Sequence, residues 1–353
     1  MTSKMSILVC YFIASILMGI LCGVHGSSFH QQQPVLTIKT ENGQEFDCVD
    51  FYKQPTFNNP LMKNHMHEVN ITSLQSQEGE PKNLALKNGC PLGTVPILRS
   101  FYDLKSSIVE PNEGENCIAS LRTTEIGGRV FYGASGSVGI FKPVVSGTQW
   151  SASRIKLQSG NDSIEAGWMV NPPLYSSSDP HLYAKFTAGP TECLSLQCPG
   201  FVQVSKNFPL GARPDRFTHI GDETIFYWNI TIEKHPDDGN WWLSIYMASS
   251  NIQIGFWPKS LFTSLADSAA QIEWGGQINN PGDRTPDDPE MGSGIKATDD
   301  FTRSAAIFDV SVDKGVLIPG ESEIYAECND YTVYDAGTRD FWGRLIFYGG
   351  PKS

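Results

Sequence analysis

Cationic charge is scarce in this chain: 26 Lys and Arg stand against 38 Asp and Glu over 353 residues, a formal net charge of -12. Such a surface repels phosphate backbones and anionic membranes, so nucleic acid is excluded as a natural partner. Also missing are the Gly-x-Ser-x-Gly elbow of serine hydrolases, the His-Glu-x-x-His pair of zinc peptidases and any Cys-x-x-Cys pair. With its histidines scattered, the chain offers no metal site and calls for no cofactor. Long apolar runs are absent beyond the N-terminus. Residues 5 to 24 carry no charge, follow Lys4 and lead into Val24-His25-Gly26. This reads as a signal peptide, residues 1–26, cut after Gly26; the other reading is an uncleaved anchor, since the stretch approaches bilayer length. Cleavage removes Lys4, Cys10 and Cys22 and leaves a chain of net charge -13 with no further membrane segment.

What is present is glycine (33) and proline (22), with short apolar or β-branched runs separated by turn clusters. Runs such as Gly128–Tyr132, Ser137–Phe141, His181–Phe186, Thr224–Ile232, Trp241–Tyr246, Ile252–Phe256, Ala305–Phe308 and Arg344–Tyr348 predict many short strands. The expected fold is all-β, an antiparallel sandwich or barrel. One helix is expected over Pro258–Ala270, where proline opens the segment and Leu261, Leu265 and Ala269 recur at intervals of four. Gly133-Ala-Ser-Gly-Ser137 reads as a hairpin turn rather than a nucleophile site. Residues 27–116 differ in texture and end in the acidic connector Glu110-Pro-Asn-Glu-Gly-Glu-Asn116, so they form a small N-terminal domain ahead of residues 117–353. Six cysteines behind a signal predict disulfides in an oxidising compartment. Sequons at Asn70, Asn161 and Asn229 agree with export.

Chemistry concentrates at Glu165, in Ser163-Ile-Glu-Ala-Gly-Trp168, and at Gln277, in Glu273-Trp-Gly-Gly-Gln277. A carboxylate can take a proton from water, and a carboxamide can hold a developing oxyanion at any pH. These runs occur in one order with Cys198-Pro-Gly-Phe-Val-Gln203, Gly239-Asn-Trp-Trp-Leu243, Trp257-Pro258, Met291-Gly-Ser-Gly294 and Phe347-Tyr-Gly-Gly-Pro351. Ahead of them stand Asp47-Cys-Val-Asp-Phe-Tyr-Lys-Gln-Pro55, Asn64-His65 and Cys90-Pro91. The ordered set closely resembles the neprosin family of plant secreted glutamic peptidases over essentially the whole mature chain.

That resemblance implies a signal, an activation domain removed in acid, and a sandwich of two antiparallel sheets that cleaves after proline with two glutamates. The first glutamate falls on Glu165; the second falls on Gln277, so the shared proton of a two-acid site has no home. A Glu with a Gln is the pairing of the fungal glutamic peptidases. Arg154 and Lys156 replace residues of a family Thr-Gln-Ile-Trp run, either beside Glu165 in the substrate groove or facing solvent, and Ile295 stands where the resemblance implies His. Trp168 and Trp274, adjoining the two site residues, are the expected groove aromatics, with sandwich core as the other reading. Glu273 reads as a structural or solvent-facing carboxylate rather than a substitute acid. Within the same frame Cys48 pairs with Cys90 and Cys193 with Cys198. Cys117 and Cys328 then join each other, although the resemblance puts the late cysteine's usual partner near Asp309. The expected protein is a secreted, cell-wall or vacuolar monomer acting on proline-containing peptides. The competing reading is a silent sandwich that binds proline-rich wall proteins, polysaccharide or another peptidase.

Overall fold

A computed structural model describes residues 33–60, 70–77, 86–103, 115–124, 128–247, 250–282, 288–313, 315–317 and 320–351. The expected signal peptide, the Asn64-His65 pair and most of the acidic connector lie outside the described residues. The strands are β1 (Leu36–Lys39), β2 (Glu45–Asp50), β3 (Thr94–Leu98), β4 (Glu115–Thr123), β5 (Gly133–Gly139), β6 (Trp150–Ser159), β7 (Asp162–Val170), β8 (His181–Ala188), β9 (Thr191–Leu194) and β10 (Val202–Gln203). They continue as β11 (Tyr227–Lys234), β12 (Trp241–Met247), β13 (Ser250–Trp257), β14 (Gln271–Asn280), β15 (Ala305–Val312), β16 (Gly315–Val316), β17 (Ser322–Ala326), β18 (Thr332–Arg339) and β19 (Gly343–Gly349). One large sheet runs β17-β4-β14-β6-β7-β8-β9; the other runs β10-β13-β12-β11-β5-β15-β19-β18, with β16 on β15. Pairing is antiparallel throughout, and β1-β2-β3 form a separate small sheet. The all-β sandwich with a small N-terminal unit is thus the architecture.

Strand alternation builds the core. On β7, Ile164, Ala166, Trp168 and Val170 are buried, and on β14, Ile272, Trp274 and Ile278 are. The Trp168 Nε1–H donates to the Gly139 carbonyl (2.8 Å) and the Trp274 Nε1–H to that of Ser135 (3.0 Å), both on β5 of the opposite sheet. The two indoles tie the sheets together through the interior.

Two local expectations change. Gly133–Ser137 is not a hairpin turn but the start of β5, paired with β11 and β15 inside its sheet. Small residues serve close packing there: a Cβ on Gly136 would lie 3.0 Å from Ile307 Cγ2 and 3.4 Å from the Trp274 ring. Gly128–Tyr132 likewise contributes only a single bridge, Phe131 to Ala269. The helix over 258–270 shrinks to a 3-10 turn at Lys259–Leu261. Its amides are captured elsewhere, because the Asp162 carboxylate accepts from the backbone N–H of Thr263 (2.7 Å), Ser264 (2.6 Å) and Leu265 (3.2 Å). Helical hydrogen bonds lose to a charged acceptor.

The N-terminal unit docks through neutral amides. Gln54 and Gln203 exchange bonds, Gln54 Nε2 to the Gln203 carbonyl (2.9 Å) and Gln203 N–H to Gln54 Oε1 (2.9 Å). Gln75 Nε2 donates to the Val204 carbonyl (3.0 Å), and the Cys90 N–H to that of Lys206 (2.8 Å). Edge strand β10 is thereby covered by side chains that satisfy its backbone. Disulfides join Cys48 to Cys90, Cys117 to Cys328 and Cys193 to Cys198.

Asp162 also accepts from the Gly189 N–H (3.1 Å). Burial would raise this carboxyl, but the hydrogen bonds from Leu265, Thr263, Ser264 and Gly189 hold it below its usual 3.8. Asp162→Ala is therefore expected to cost about 3 kcal/mol at neutral pH, the scale of bonds to a charged group. Because the folded value is the lower one, this contribution is present above the unfolded value of about 3.9 and fades as pH falls through the folded value. Urea unfolding of both proteins at pH 7 and pH 3 checks this; a gap that is absent at pH 7, or widens in acid, contradicts it.

Candidate functional site

The face of the seven-stranded sheet opposite to Trp168 and Trp274 carries Glu165, Gly167 and Met169 from β7. From β6 it carries Ala152, Arg154 and Lys156, and from β14 Glu273, Gly275 and Gln277. Register lines these up in rows. Tyr183, Gly167, Arg154, Gly275 and Ser120 form one; Lys185, Glu165, Lys156, Glu273, Arg122 and Glu323 form the next, with signs alternating across six strands. Cross-strand opposite charges attract, so this pattern also favours the register.

Arg154 is the hub. It is buried to 2% exposure, and its neighbours in the row are the two glycines. A Cβ on Gly167 would sit 1.8 Å from the Ser153 carbonyl oxygen, and one on Gly275 2.2 Å from that of Ala119. The backbones close in, and no side chain competes for the space beside Arg154. Its Nε–H donates to Gln277 Oε1 (2.8 Å) and lies 3.6 Å from Glu165 Oε2, while its Nη1 donates to Glu273 Oε2 (3.1 Å). Glu165 Oε1 accepts from the Tyr183 hydroxyl (3.1 Å). Glu165 and Glu273 are buried beside the guanidinium, while Gln277 and Lys156 are half-buried.

The electrostatics follow. Burial would raise the Glu165 carboxyl, but Arg154, Lys185, Lys156 and the Tyr183 hydrogen bond together hold it below its usual 4.5. Tyr183 is driven well above its usual 10.0 by burial and by the Glu165 charge, so it stays a neutral donor. Arg154 keeps its charge, its two carboxylate neighbours more than offsetting burial. A guanidinium has no acceptor, so it must face the oxygen of the Gln277 amide, which leaves Nε2–H2 directed away as a donor. The arrangement combines a carboxylate ionised into acid with a fixed amide donor on one face. It can activate water and hold an oxyanion.

Several sequence readings are revised here. Trp168 and Trp274 are fully buried in the core on the opposite face from Glu165 and Gln277, because neighbours an odd number of positions apart on a strand point to opposite faces. Neither shares the face of Glu165 and Gln277. Arg154 does stand at Glu165, as a buried partner rather than facing solvent. Glu273 is structural and buried, and Tyr183 went unnoticed because a tyrosine in a strand carries no local sign of its partner. Of the sequons, Asn70 and Asn161 are exposed, whereas Asn229 lies within β11 with its Nδ2 donating to the Ser137 hydroxyl (3.1 Å). Among the described residues no group of three or more metal-ligating side chains gathers.

A two-sheet antiparallel sandwich with a carboxylate, a carboxamide and a buried guanidinium on one sheet face is the class that fold and site define. The Neprosin family matches residues 147–351, which is 205 of the 353 residues, and the Neprosin activation peptide matches residues 37–107. The chain belongs to the neprosin family. Among solved structures it is similar to Scytalido-glutamic peptidase with a peptide-based transition state analog, at 9% identity over 68% of this chain and 99% of that one, TM-score 0.36. It is also similar to SCP-B, a member of the Eqolisin family of peptidases in complex with the tripeptide Ala-Ile-His, at 9% identity, the same coverages and TM-score 0.33.

Arg154→Met leaves two buried carboxylates without their cation, and such a loss costs about 3–5 kcal/mol. With the cation gone, burial dominates and the Glu165 carboxyl rises above its usual value. Since its folded value would then exceed the unfolded one, the variant gains relative stability as pH falls and Glu165 takes up a proton. Denaturant unfolding from pH 8 to 4, with NMR titration of labelled glutamate, reads both effects; an unmoved Glu165 contradicts the hub role.

Proposed function

We propose that this protein is a secreted peptidase that cleaves on the carboxyl side of proline, with Glu165 as general base and Gln277 as oxyanion stabiliser. Residues 27–116 act as its activation domain and linker, and residues 117–353 as its catalytic sandwich. Membership of the neprosin family supports peptide hydrolysis. The observation that carries the residue roles is the convergence of Glu165 Oε2 and Gln277 Oε1 on one atom, Arg154 Nε, at 3.6 and 2.8 Å. The leader-like residues 1–26, three disulfides and the exposed sequons at Asn70 and Asn161 support export to the extracellular space, cell wall or vacuole.

In the reaction, ionised Glu165 takes a proton from water, whose oxygen attacks the scissile carbonyl. The Gln277 N–H2 donates to the oxyanion, a contribution of about 3 kcal/mol for one well-placed donor. Tyr183 and Arg154 position the base without exchanging protons themselves. One observation favours the silent binding sandwich: Arg154 fills the space between the base and the amide, where two family carboxylates would share a proton. Catalysis and binding part on Glu165.

Glu165→Gln, nearly isosteric, is expected to reduce cleavage of a proline-containing peptide by about 10²–10⁴-fold, the usual worth of a general base. In the unsubstituted protein the rate should hold below pH 4.5 and fall only as Glu165 itself protonates. Mass-spectrometric cleavage assays from pH 2 to 8 decide it. Binding without cleavage, or a rate that keeps rising as pH falls through the Glu165 range, sinks the assignment. Gln277→Glu combined with Arg154→Gln, which removes the cation between the two acids, should move the optimum further into acid, toward a two-acid profile.

A further inference from the structure

The charged row across the sheet is paired almost throughout. Lys185 meets Glu192 (2.9 Å), Arg122 meets Glu323 (2.7 Å), and Glu165 and Glu273 both meet Arg154. Lys156 is the exception: among the described residues it has no hydrogen-bond or ion-pair partner, although it stands directly across from Glu165 on one side and Glu273 on the other. It is half-buried, on the same face as the base and the amide. An unpaired ammonium at that place calls for a role.

Amide hydrolysis needs a proton for the leaving nitrogen as well as a base for water. Besides Glu165, which carries the proton taken from water, the candidates on this face are few: Gln277 does not titrate, and Arg154 and Tyr183 hold their protons too tightly. Lys156 differs from them. Burial and the neighbouring Arg154 and Lys185 charges loosen its proton, while Glu165 and Glu273 act to retain it.

Resting on the peptidase reading above, we propose that Lys156 is the general acid of this groove, its ammonium supplying the proton that a second carboxylate would otherwise carry. Glu165 removes one proton from water as the water oxygen bonds to the carbonyl carbon, and the π pair moves to the oxygen facing Gln277. When that pair returns, the C–N bond breaks and the nitrogen takes a proton from the Lys156 ammonium. The proton held by Glu165 then returns to the Lys156 amine by way of solvent water, since the two side chains face each other across the strands without a direct hydrogen bond. One water is consumed, one acid and one amine are released, and both side chains recover their starting states.

The test compares Lys156→Met and Lys156→Arg, each made as the full chain and then incubated in acid, on two substrates, a peptidyl-proline alkyl amide and the matching p-nitroanilide. The electron-poor nitroanilide leaves with little help from an acid. Lys156→Met should lose about 10²-fold or more in kcat on the alkyl amide, within the usual range for a general acid, and less than about tenfold on the nitroanilide. Lys156→Arg keeps the charge but binds its proton too firmly, so it should behave like Lys156→Met. The decline of the unsubstituted rate toward alkaline pH should vanish in both. Rescue by arginine, equal losses on the two substrates, or an unchanged alkaline limb would overturn the proposal, and unchanged melting temperatures ensure that folding is not being read. Failure of the peptidase reading looks different: neither substrate is cut, or Glu165→Gln cuts as well as the parent, and the Lys156 role falls with it.

Discussion

A guanidinium taken out of water must be matched almost completely, and the charged sheet face of this protein is organised by that demand on Arg154. Two buried carboxylates and one carboxamide oxygen satisfy it. Interior ion pairs of this kind contribute little net stability, because desolvation consumes most of the attraction. Their effect is positional: each partner has one low-energy orientation. Glu165 is thus held ionised between Arg154 and Tyr183, and the Gln277 amide is fixed with its nitrogen outward. Gly167 and Gly275 provide the room beside the guanidinium.

On the proposed reading, the neutral amide of Gln277 and the cation of Arg154 belong together, since the amide oxygen accepts from the Arg154 Nε–H. A second carboxylate would share a proton with Glu165 and require a gap between them. Arg154 fills that gap with a fixed positive charge, so a neutral amide is the compatible partner and acidity must come from outside the pair. Lys156, one step along the same strand face, is where the chain offers it.

The sandwich was legible because period-2 patterning is local: β8, β11, β12, β13 and β19 fall where apolar alternation predicts them. The cysteine pairs followed from family likeness, and spacing alone would have left them open. Misreadings came from non-local causes. Gly133–Ser137 has turn chemistry, yet it is a strand because Trp274 and Ile307 press on Gly136 from other strands. The 258–270 segment has helical spacing, yet Asp162, a hundred residues earlier, takes its amides. Trp168 and Trp274 were legible and misjudged: nearness in sequence suggested the groove, whereas strand parity, counted from Glu165 and Gln277, assigns both to the core. The burial of Arg154 depends on four strands at once, and no window of sequence contains that.

The central claim is that Glu165 and Gln277 act on one peptide bond from the two sides of Arg154. A crystal structure of the mature protein with a phosphinic peptide, whose tetrahedral phosphorus imitates the hydrated amide, tests this directly. One phosphinyl oxygen should accept from Gln277 Nε2, and the other should lie within hydrogen-bond distance of Glu165. An inhibitor seated elsewhere on the sandwich, with the face of Glu165, Arg154 and Gln277 untouched, would contradict it.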